Sequence, residues 1–498
     1  MLWVPGVLQH IIIWYTAITG TRMSIGEQMG GPQVKVSVRN LGVIKEAEID
    51  LKPLTILIGP NNAGKTWLAY TLSGIFGLYG LAKYIQAYTE EKVSKAYPIL
   101  DYAVEQILDE GNAKIDLVQF ADEYGETYFN NMAKLTPQWI QDFLGTELAP
   151  FDKLEVHINL AETKEHILEK ILWFSIERKL SFGRGRRESL LAALKEPGKK
   201  ELYVYTSTEG SIAEKLPHRA IKEFLVGLVF QGLHTTLYED LYTFPTERTI
   251  ITYPSVRSDL VEEKTIISEV AQQEPRSPTS WPMLHFLNMI LTLFQCGLAD
   301  REREAKKVPT IRAYMQLAQW LEKQILGGEV NFSTPEPDPR RVILFTPTDG
   351  DPLEIPVTSS MVKELSPLVL YLRYLASPGE WLIIDEPEMN LHPKAQAQLT
   401  EFLAMLVNAG LPVLITTHSP YIVDHLANLM KAAESTEPEA IQDKFYLQRK
   451  EAFISRYNVS VYSVDQGKTE NVLDEDGLVR WGTFSDVSDR VSEIYFEL

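Results

Sequence analysis

The sequence predicts an α/β protein: a mixed sheet with flanking helices, interrupted by a large, mainly helical insertion. Three observations carry this. Short apolar runs at Leu54–Ile58, Trp381–Ile384 and Val413–Ile415 read as buried strands. The first leads through a glycine-rich loop to Leu68, Leu72, Ile75 and Phe76 at helical spacing, a strand–loop–helix unit. Between that unit and the last two runs lies a long stretch, residues 82–243, of mostly helical periodicity.

In chain order, residues 1–32 form an N-terminal extension. Its first twenty residues are apolar, yet no Lys or Arg precedes Arg22, and Pro5, Gln9 and His10 interrupt the run. Neither a signal peptide nor a membrane span is expected. Met23 opens a polar stretch and is expected to be the true start, with residues 1–22 an artefact of start assignment; the mass of the natural protein tests this. Residues 33–81 form the first part of the α/β domain. Val34, Val36 and Val38 alternate with Lys35, Ser37 and Arg39, and Ala47, Ile49 and Leu51 continue after an Asn40-Leu41-Gly42 turn. These strands are expected as an antiparallel edge beside a parallel core.

Within the insertion, Ile167, Leu168, Ile171 and Leu172 recur at helix spacing, whereas Leu154-Val156-Ile158-Leu160 and Leu202-Val204-Thr206 alternate as strands. Arg178–Arg187 is the dense basic patch, read as a solvated loop with nucleic-acid or phosphate contact as the alternative. No sustained heptads support coiled-coil arms. Residues 244–498 form the second part. They include an apolar strand after Glu247-Arg248, a loop at Glu274–Pro282, and helical runs at Leu284–Leu298 and Ile311–Ile325. Charged Asp300–Lys307 separates those runs, and short strands at VILFTP and PLEIPV follow before the α/β texture returns.

Composition bounds the function. The chain has 498 residues, 45% apolar and 23% charged, enough for roughly two to four average soluble domains. A formal charge of -19 argues against an extended, non-specific DNA-coating surface, while leaving room for a local basic groove. The single cysteine, Cys296, sits in an apolar run and is expected as a buried structural thiol in a reducing cytoplasm.

Three segments carry chemistry. Gly59-Pro60-Asn61-Asn62-Ala63-Gly64-Lys65-Thr66 matches G-x-x-x-x-G-K-[ST] at every fixed position. Glycines let the backbone wrap phosphate oxygens, and the following helix N-terminus favours anions. Lys65 supplies a full charge to the β- and γ-phosphates of ATP, and the Thr66 hydroxyl holds Mg²⁺. The second segment, WLIIDEPEMNLHP, ends an apolar strand in Asp385-Glu386. Beside a phosphate loop, Asp385 binds Mg²⁺ and Glu386 polarises the attacking water. In the third, LPVLITTHSP, His418 follows a buried strand and is placed to bond the γ-phosphate.

Taken together, GPNNAGKT, DEPEMNLHP and TTHSP resemble the ABC-type P-loop ATPase head of the OLD/RecF-like AAA group, which shares its head with SMC proteins. The resemblance covers roughly residues 33–80 and 341–498 and leaves the middle as a family-variable insertion. It implies ATP hydrolysis by two or more copies closed around ATP. Asn390, Leu391 and His392 then fall in a loop crossing the dimer interface. Val357–Leu368 stands where the group's signature motif belongs, so that Ser359 and Ser360 touch the γ-phosphate bound by the opposite subunit. Met361 occupies a place where glycine is usual, which implies a less close backbone approach and weaker activation of hydrolysis in trans. Gln231 is the candidate for the group's Q-loop glutamine.

OLD proteins continue into a metal-dependent nuclease domain. Here only scattered acids such as Asp474, Asp476 and Asp486 follow the strand-like VSVYSV, and no intrinsic nuclease is expected. Stand-alone ATPases of this shape resemble those of bacterial anti-phage systems of the Septu and PARIS types, which implies a cytoplasmic sensor or regulator controlling a separate nuclease or toxin. The alternatives are a RecF-like DNA repair or maintenance ATPase and a low-turnover ATP-dependent scaffold. A transporter subunit is disfavoured because the Gly-Gly-Gln context is missing and the insertion is too long.

Overall fold

The computed structural model describes residues 32–93, 97–147, 151–182, 188–206, 218–252, 279–333, 342–474, 477–479 and 493–494. The chain divides into two compact units. The smaller comprises Met1–Lys35, Gly74–Ile140 and Glu155–Asp240; the larger comprises Val36–Ser73, Gln141–Leu154 and Leu241–Leu498.

The chain opens with β1 (Val34–Leu41), β2 (Ile44–Leu51) and β3 (Leu54–Ile58), followed by the helix Lys65–Phe76. Burial in β1 and β2 follows the period-two pattern of their apolar residues, whereas β3 is buried at every position. The middle of the chain adds β4 (Asn112–Asp116), β5 (Glu155–Asn159), β6 (Ile176–Phe182), β7 (Glu188–Lys195) and β8 (Glu201–Thr206).

The smaller unit holds a four-stranded sheet in the order β4-β8-β7-β6, antiparallel throughout. Its helices Leu78–Thr89, Pro98–Glu110 and His218–His234 enclose an aromatic cluster. There the Tyr84 and Tyr97 hydroxyls meet at 2.7 Å and Phe230 stacks on Tyr128. His234 closes this cluster. Its Nε2 lies 3.0 Å from the Phe76 carbonyl and therefore donates, leaving Nδ1 to accept from the Tyr128 hydroxyl at 2.9 Å.

Burial pushes the His234 imidazole down to about 4. A depressed histidine contributes stability that is complete above its unfolded pKa of about 6.5 and is lost as pH falls towards 4, at most about 3 kcal/mol. Unfolding of the smaller unit is therefore expected to steepen with acid over that window. His234→Gln should flatten the dependence, and identical slopes in thermal melts would contradict the assignment.

Lys195 is a second buried polar anchor, 1% exposed. Its ammonium donates to the carbonyls of Leu172 (2.9 Å), Phe174 (2.8 Å) and Lys199 (2.7 Å), and so caps the end of the helix Lys164–Trp173. Removing it orphans those carbonyls. Lys195→Met is expected to cost about 3 kcal/mol in urea melts of the smaller unit; a loss below about 0.5 kcal/mol would assign the lysine no role beyond an ordinary surface residue.

The chain returns to the larger unit with β9 (Leu241–Phe244). It then forms β10 (Gly328–Ser333), β11 (Val342–Pro347), β12 (Leu353–Glu354), β13 (Trp381–Asp385), β14 (Val413–Thr417), β15 (Val459–Asp465) and β16 (Lys468–Asn471). Strands of this unit line up as β1-β2-β16-β15-β3-β14-β13-β9, a mixed sheet with flanking helices. From β15 to β9 every pairing is parallel. The register is what matters for the site. Ile58 stands beside Thr417, Asp385 beside Thr416, and Ile384 beside Phe244. The carboxyl ends of β3, β14, β13 and β9 thus share one edge, where open parallel sheets place their ligands. Helices Trp281–Gln295, Pro309–Leu321, Ser360–Tyr374, Pro393–Asn408 and Pro420–Ala433 contribute to its apolar core.

Several expectations change. The strand expected after Arg248 is a 3-10 turn, Arg248–Thr252, and the strand lies before it as β9. Pro245 has no N–H for a ladder, and the Arg248 side chain is drawn beneath the strand ends. Of PLEIPV only Leu353–Glu354 is strand, before a turn with Pro356 near its start. The basic stretch read as a loop is β6 up to Phe182; residues 183–187 lie outside the described residues, as do residues 1–31. Cys296 is half-buried, its thiol donating to the Thr292 carbonyl at 3.3 Å. Among the described residues no single helix is long and apolar enough to cross a membrane.

Candidate functional site

The glycine-rich loop is fixed by its backbone. Gly59 adopts φ 146 and Gly64 φ 96, and Asn62 between them is also left-handed at φ 64. A Cβ on Gly59 would stand 2.2 Å from the Val464 carbonyl oxygen, so only glycine fits. Lys65, 5% exposed, folds back across the loop and donates to the Gly59 and Pro60 carbonyls, both at 2.9 Å. Burial pulls its ammonium below the ordinary lysine range, against the opposing charges of Glu386, Asp385 and Glu388.

Asp385 ends β13 at 1% exposure. Hydroxyls surround its carboxylate: Thr66 at 3.0 and 3.1 Å, Thr246 at 2.6 Å, Tyr70 at 3.5 Å, and Thr416. Burial, followed by the Asp385 charge, raises Tyr70 well above the usual phenol range, so it remains a donor. The Thr66–Asp385 separation suits Mg²⁺, whose adjacent octahedral oxygen ligands at roughly 2.1 Å stand about 3 Å apart. Thr66 and Asp385 are the residues that would hold it. An ion held there would supply positive charge to stabilise the charge that develops in phosphoryl transfer. Among the described residues no group of three or more His, Cys, Asp or Glu is placed to hold a metal ion. Asp474 accepts from the Leu478 N–H in a turn, and Asp476 and Asp486 lie outside the described residues.

Glu386 turns left-handed at φ 47, its N–H held by the Thr416 carbonyl at 3.1 Å and hydroxyl at 3.0 Å. The turn directs its carboxylate to 3.5 Å from Nδ1 of His418. On the other side of that nitrogen, Glu388 Oε1 stands at 3.7 Å. Glu388 is 4% exposed and accepts the Thr417 hydroxyl at 2.5 Å and the His418 N–H at 3.0 Å. Burial raises its carboxyl above the usual range. His418 is therefore flanked by two carboxylates, with its ring partly open to solvent.

Beneath the strand ends lies Arg248, 2% exposed. Its guanidinium donates to the carbonyls of Pro245 (2.9 Å), Asp385 (2.6 Å) and Glu386 (3.0 Å). Its Nε faces Glu364 Oε2 at 3.1 Å, as an ion pair rather than an aligned hydrogen bond. Glu364 Oε1 accepts from Asn390 at 3.1 Å, and Asn390 is left-handed at φ 62. Ser359 caps the helix Ser360–Tyr374, accepting from the Val362 N–H at 3.4 Å, and both serines are exposed. Met361 packs half-buried against the core. His392 caps the helix Pro393–Asn408.

The structure thus gathers Gly59–Thr66, Asp385, Glu386 and His418 at one sheet edge. Asn390 joins it through Glu364, whereas Ser359 and Ser360 stand at an exposed helix start. Gln231 lies buried in the smaller unit's helix His218–His234. Sequence reasoning did not single out Tyr70, Thr246, Arg248, Glu364, Glu388 or Thr416. Arg248 had a visible signal, a charge next to Glu247 that directly precedes the mostly apolar stretch TII. The signal of Glu388 was a second carboxylate two residues after Glu386.

The comparisons with known proteins come from both sequence and structure. The family model described as "AAA domain, putative AbiEii toxin, Type IV TA system" matches residues 261–424, the segment that carries Asp385, Glu386 and His418. No curated protein matches the chain. Three similar solved structures are SMC heads. An SMC head bound to the C-winged helix domain of ScpA shares 12% identity, covering 89% of this chain and 97% of that one, with a TM-score of 0.36. An Smc head with an extended coiled coil, bound to the C-terminal domain of ScpA derived from Pyrococcus furiosus, shares 10% identity over 94% and 100%, with a TM-score of 0.34. The SMC head domain from Thermotoga maritima shares 12% over 89% and 98%, with a TM-score of 0.30. Phosphate loop, acidic strand end and histidine strand end thus lie together on a mixed sheet with flanking helices, the α/β arrangement of a P-loop fold.

Proposed function

We propose that this chain binds ATP with Mg²⁺ and hydrolyses it, that two or more copies close around the nucleotide, and that this closure switches a separate effector nuclease or toxin. The observation that carries the proposal is the register of the parallel strands, which lines up Lys65, Thr66, Asp385, Glu386 and His418 on one edge. In this reading Lys65 leaves its loop carbonyls for the β- and γ-phosphates. Glu386 accepts the proton of the attacking water, and His418, held between Glu386 and Glu388, donates to the γ-phosphate. Ser359 and Ser360 face the nucleotide of the other copy. The effector role draws on the AAA family description, which includes a putative toxin of a toxin–antitoxin system.

The test is ATP turnover of the purified chain together with its oligomeric mass with and without ATP. Turnover accompanied by a larger assembly supports the switch. ATPase stimulated by DNA would favour the RecF-like alternative, against which the charge of -19 speaks. ATP binding without turnover would favour a scaffold, a reading that the half-buried Met361 beside the capping Ser359 makes worth testing.

A further inference from the structure

We propose that Arg248 is a positioning residue that couples the Asp385–Glu386 strand end to the helix bearing Ser359 and Ser360, through its buried ion pair with Glu364. The inference rests on the ATPase reading and extends it to how the nucleotide site and the face meeting a second copy inform each other.

One guanidinium makes the connection. Its two terminal nitrogens donate to the carbonyls of Asp385 and Glu386, so they fix the peptides on either side of the left-handed Glu386. This sets the direction in which the Glu386 carboxylate leaves the strand. The third donor faces Glu364, one helical turn after Ser360 on the same helix face. Glu364 in turn holds Asn390 in the loop that follows Glu386. Any shift of the strand end is therefore presented to the serine helix and to the Asn390 loop by the same carboxylate.

Stability alone does not account for the pair. Arg248 and Glu364 are each 2% exposed. Taking both charges out of water costs free energy that their attraction barely recovers, and well-packed apolar residues commonly do as well. Burial works against both charges, lowering the arginine and raising the glutamate. The contact is a close charge pair, 3.1 Å between Arg248 Nε and Glu364 Oε2, that ties the strand end to the serine helix. A pair of this kind is suited to keeping two elements in register while they move.

The experiment uses full-length wild type, Arg248→Lys, Glu364→Gln and the double variant. Binding of a fluorescent ATP analogue, single-turnover hydrolysis, ATP-dependent mass and melting temperature are measured. Each single variant is expected to keep analogue affinity within about 3-fold while hydrolysis falls about 10–100-fold and the ATP-dependent mass increase is lost. The double variant should be no worse than the poorer single one, because the pair acts as a unit. Wild-type hydrolysis and assembly in both folded variants overturns the inference, as does a fall in affinity that tracks the fall in melting temperature. If the variants do not fold, Asn390→Gly carries the test, since glycine keeps the left-handed backbone at this exposed site and removes the bond to Glu364. Slower hydrolysis at unchanged affinity supports the coupling, and unchanged hydrolysis overturns it. Should wild type neither hydrolyse ATP nor assemble, the ATPase reading itself fails and takes this inference with it.

Discussion

Replacing Glu386 by Gln is expected to slow ATP hydrolysis by about 10²–10⁴-fold, the usual contribution of a positioned general base. ATP affinity should stay within a few-fold. The amide keeps the size of the side chain and its reach towards His418, now 3.5 Å from the carboxylate, but cannot take a proton from water. The Glu386 side chain makes no hydrogen bond to the phosphate loop and acts on Lys65 only through its charge, while its backbone N–H remains on Thr416 and its carbonyl on Arg248. Loss should therefore fall on kcat rather than KM, and bound ATP should hold the larger assembly that wild type releases. Single-turnover kinetics with mass measurement checks both. Wild-type turnover in Glu386→Gln would move the base to another carboxylate, with Glu388 the nearest candidate by its 3.7 Å approach to His418.

Much of this site was legible because its signals are local. A loop that must wrap phosphate needs Gly59 and Gly64 in sequence, and a buried strand ending in Asp385-Glu386 announces itself by the contrast between apolar run and paired charges. Alternation in β1, β2, β5 and β8 was equally plain. What the sequence hid was set by contacts distant along the chain. Arg248 lies 137 residues from Asp385, and only the fold shows that it underlies the strand end. Thr66 and Tyr70 from one helix, Thr246 and Thr416 converge on one carboxylate from three separate segments. β6 escaped notice because its charges, Glu177, Arg178 and Lys179, look like a loop; in the strand Glu177 and Lys179 take the exposed face and Arg178 stands half-buried on the other. Position in the sheet was also beyond reach. VSVYSV reads as a late, isolated strand, yet β15 pairs directly with β3, Val461 beside Ile56.

Lys65→Ala is expected to weaken ATP binding by at least about 100-fold, since charge-assisted hydrogen bonds to phosphate contribute about 1.5–3 kcal/mol each. The same substitution should leave the nucleotide-free protein about as stable as wild type. In the free site the ammonium is buried, and burial lowers its pKa despite three neighbouring carboxylates, so the charged form is held there at a net cost. Its bonds to the Gly59 and Pro60 carbonyls offset part of that cost, and alanine gives up both terms together. The two effects separate cleanly in a melting experiment. ATP at about 100 times its Kd should stabilise wild type by about 2.7 kcal/mol and the variant by far less, with similar melts for both in its absence. An undiminished ATP-dependent shift in Lys65→Ala would mean that the nucleotide binds elsewhere. A large loss in the free state alone would mean that the lysine holds the loop together rather than waiting for phosphate.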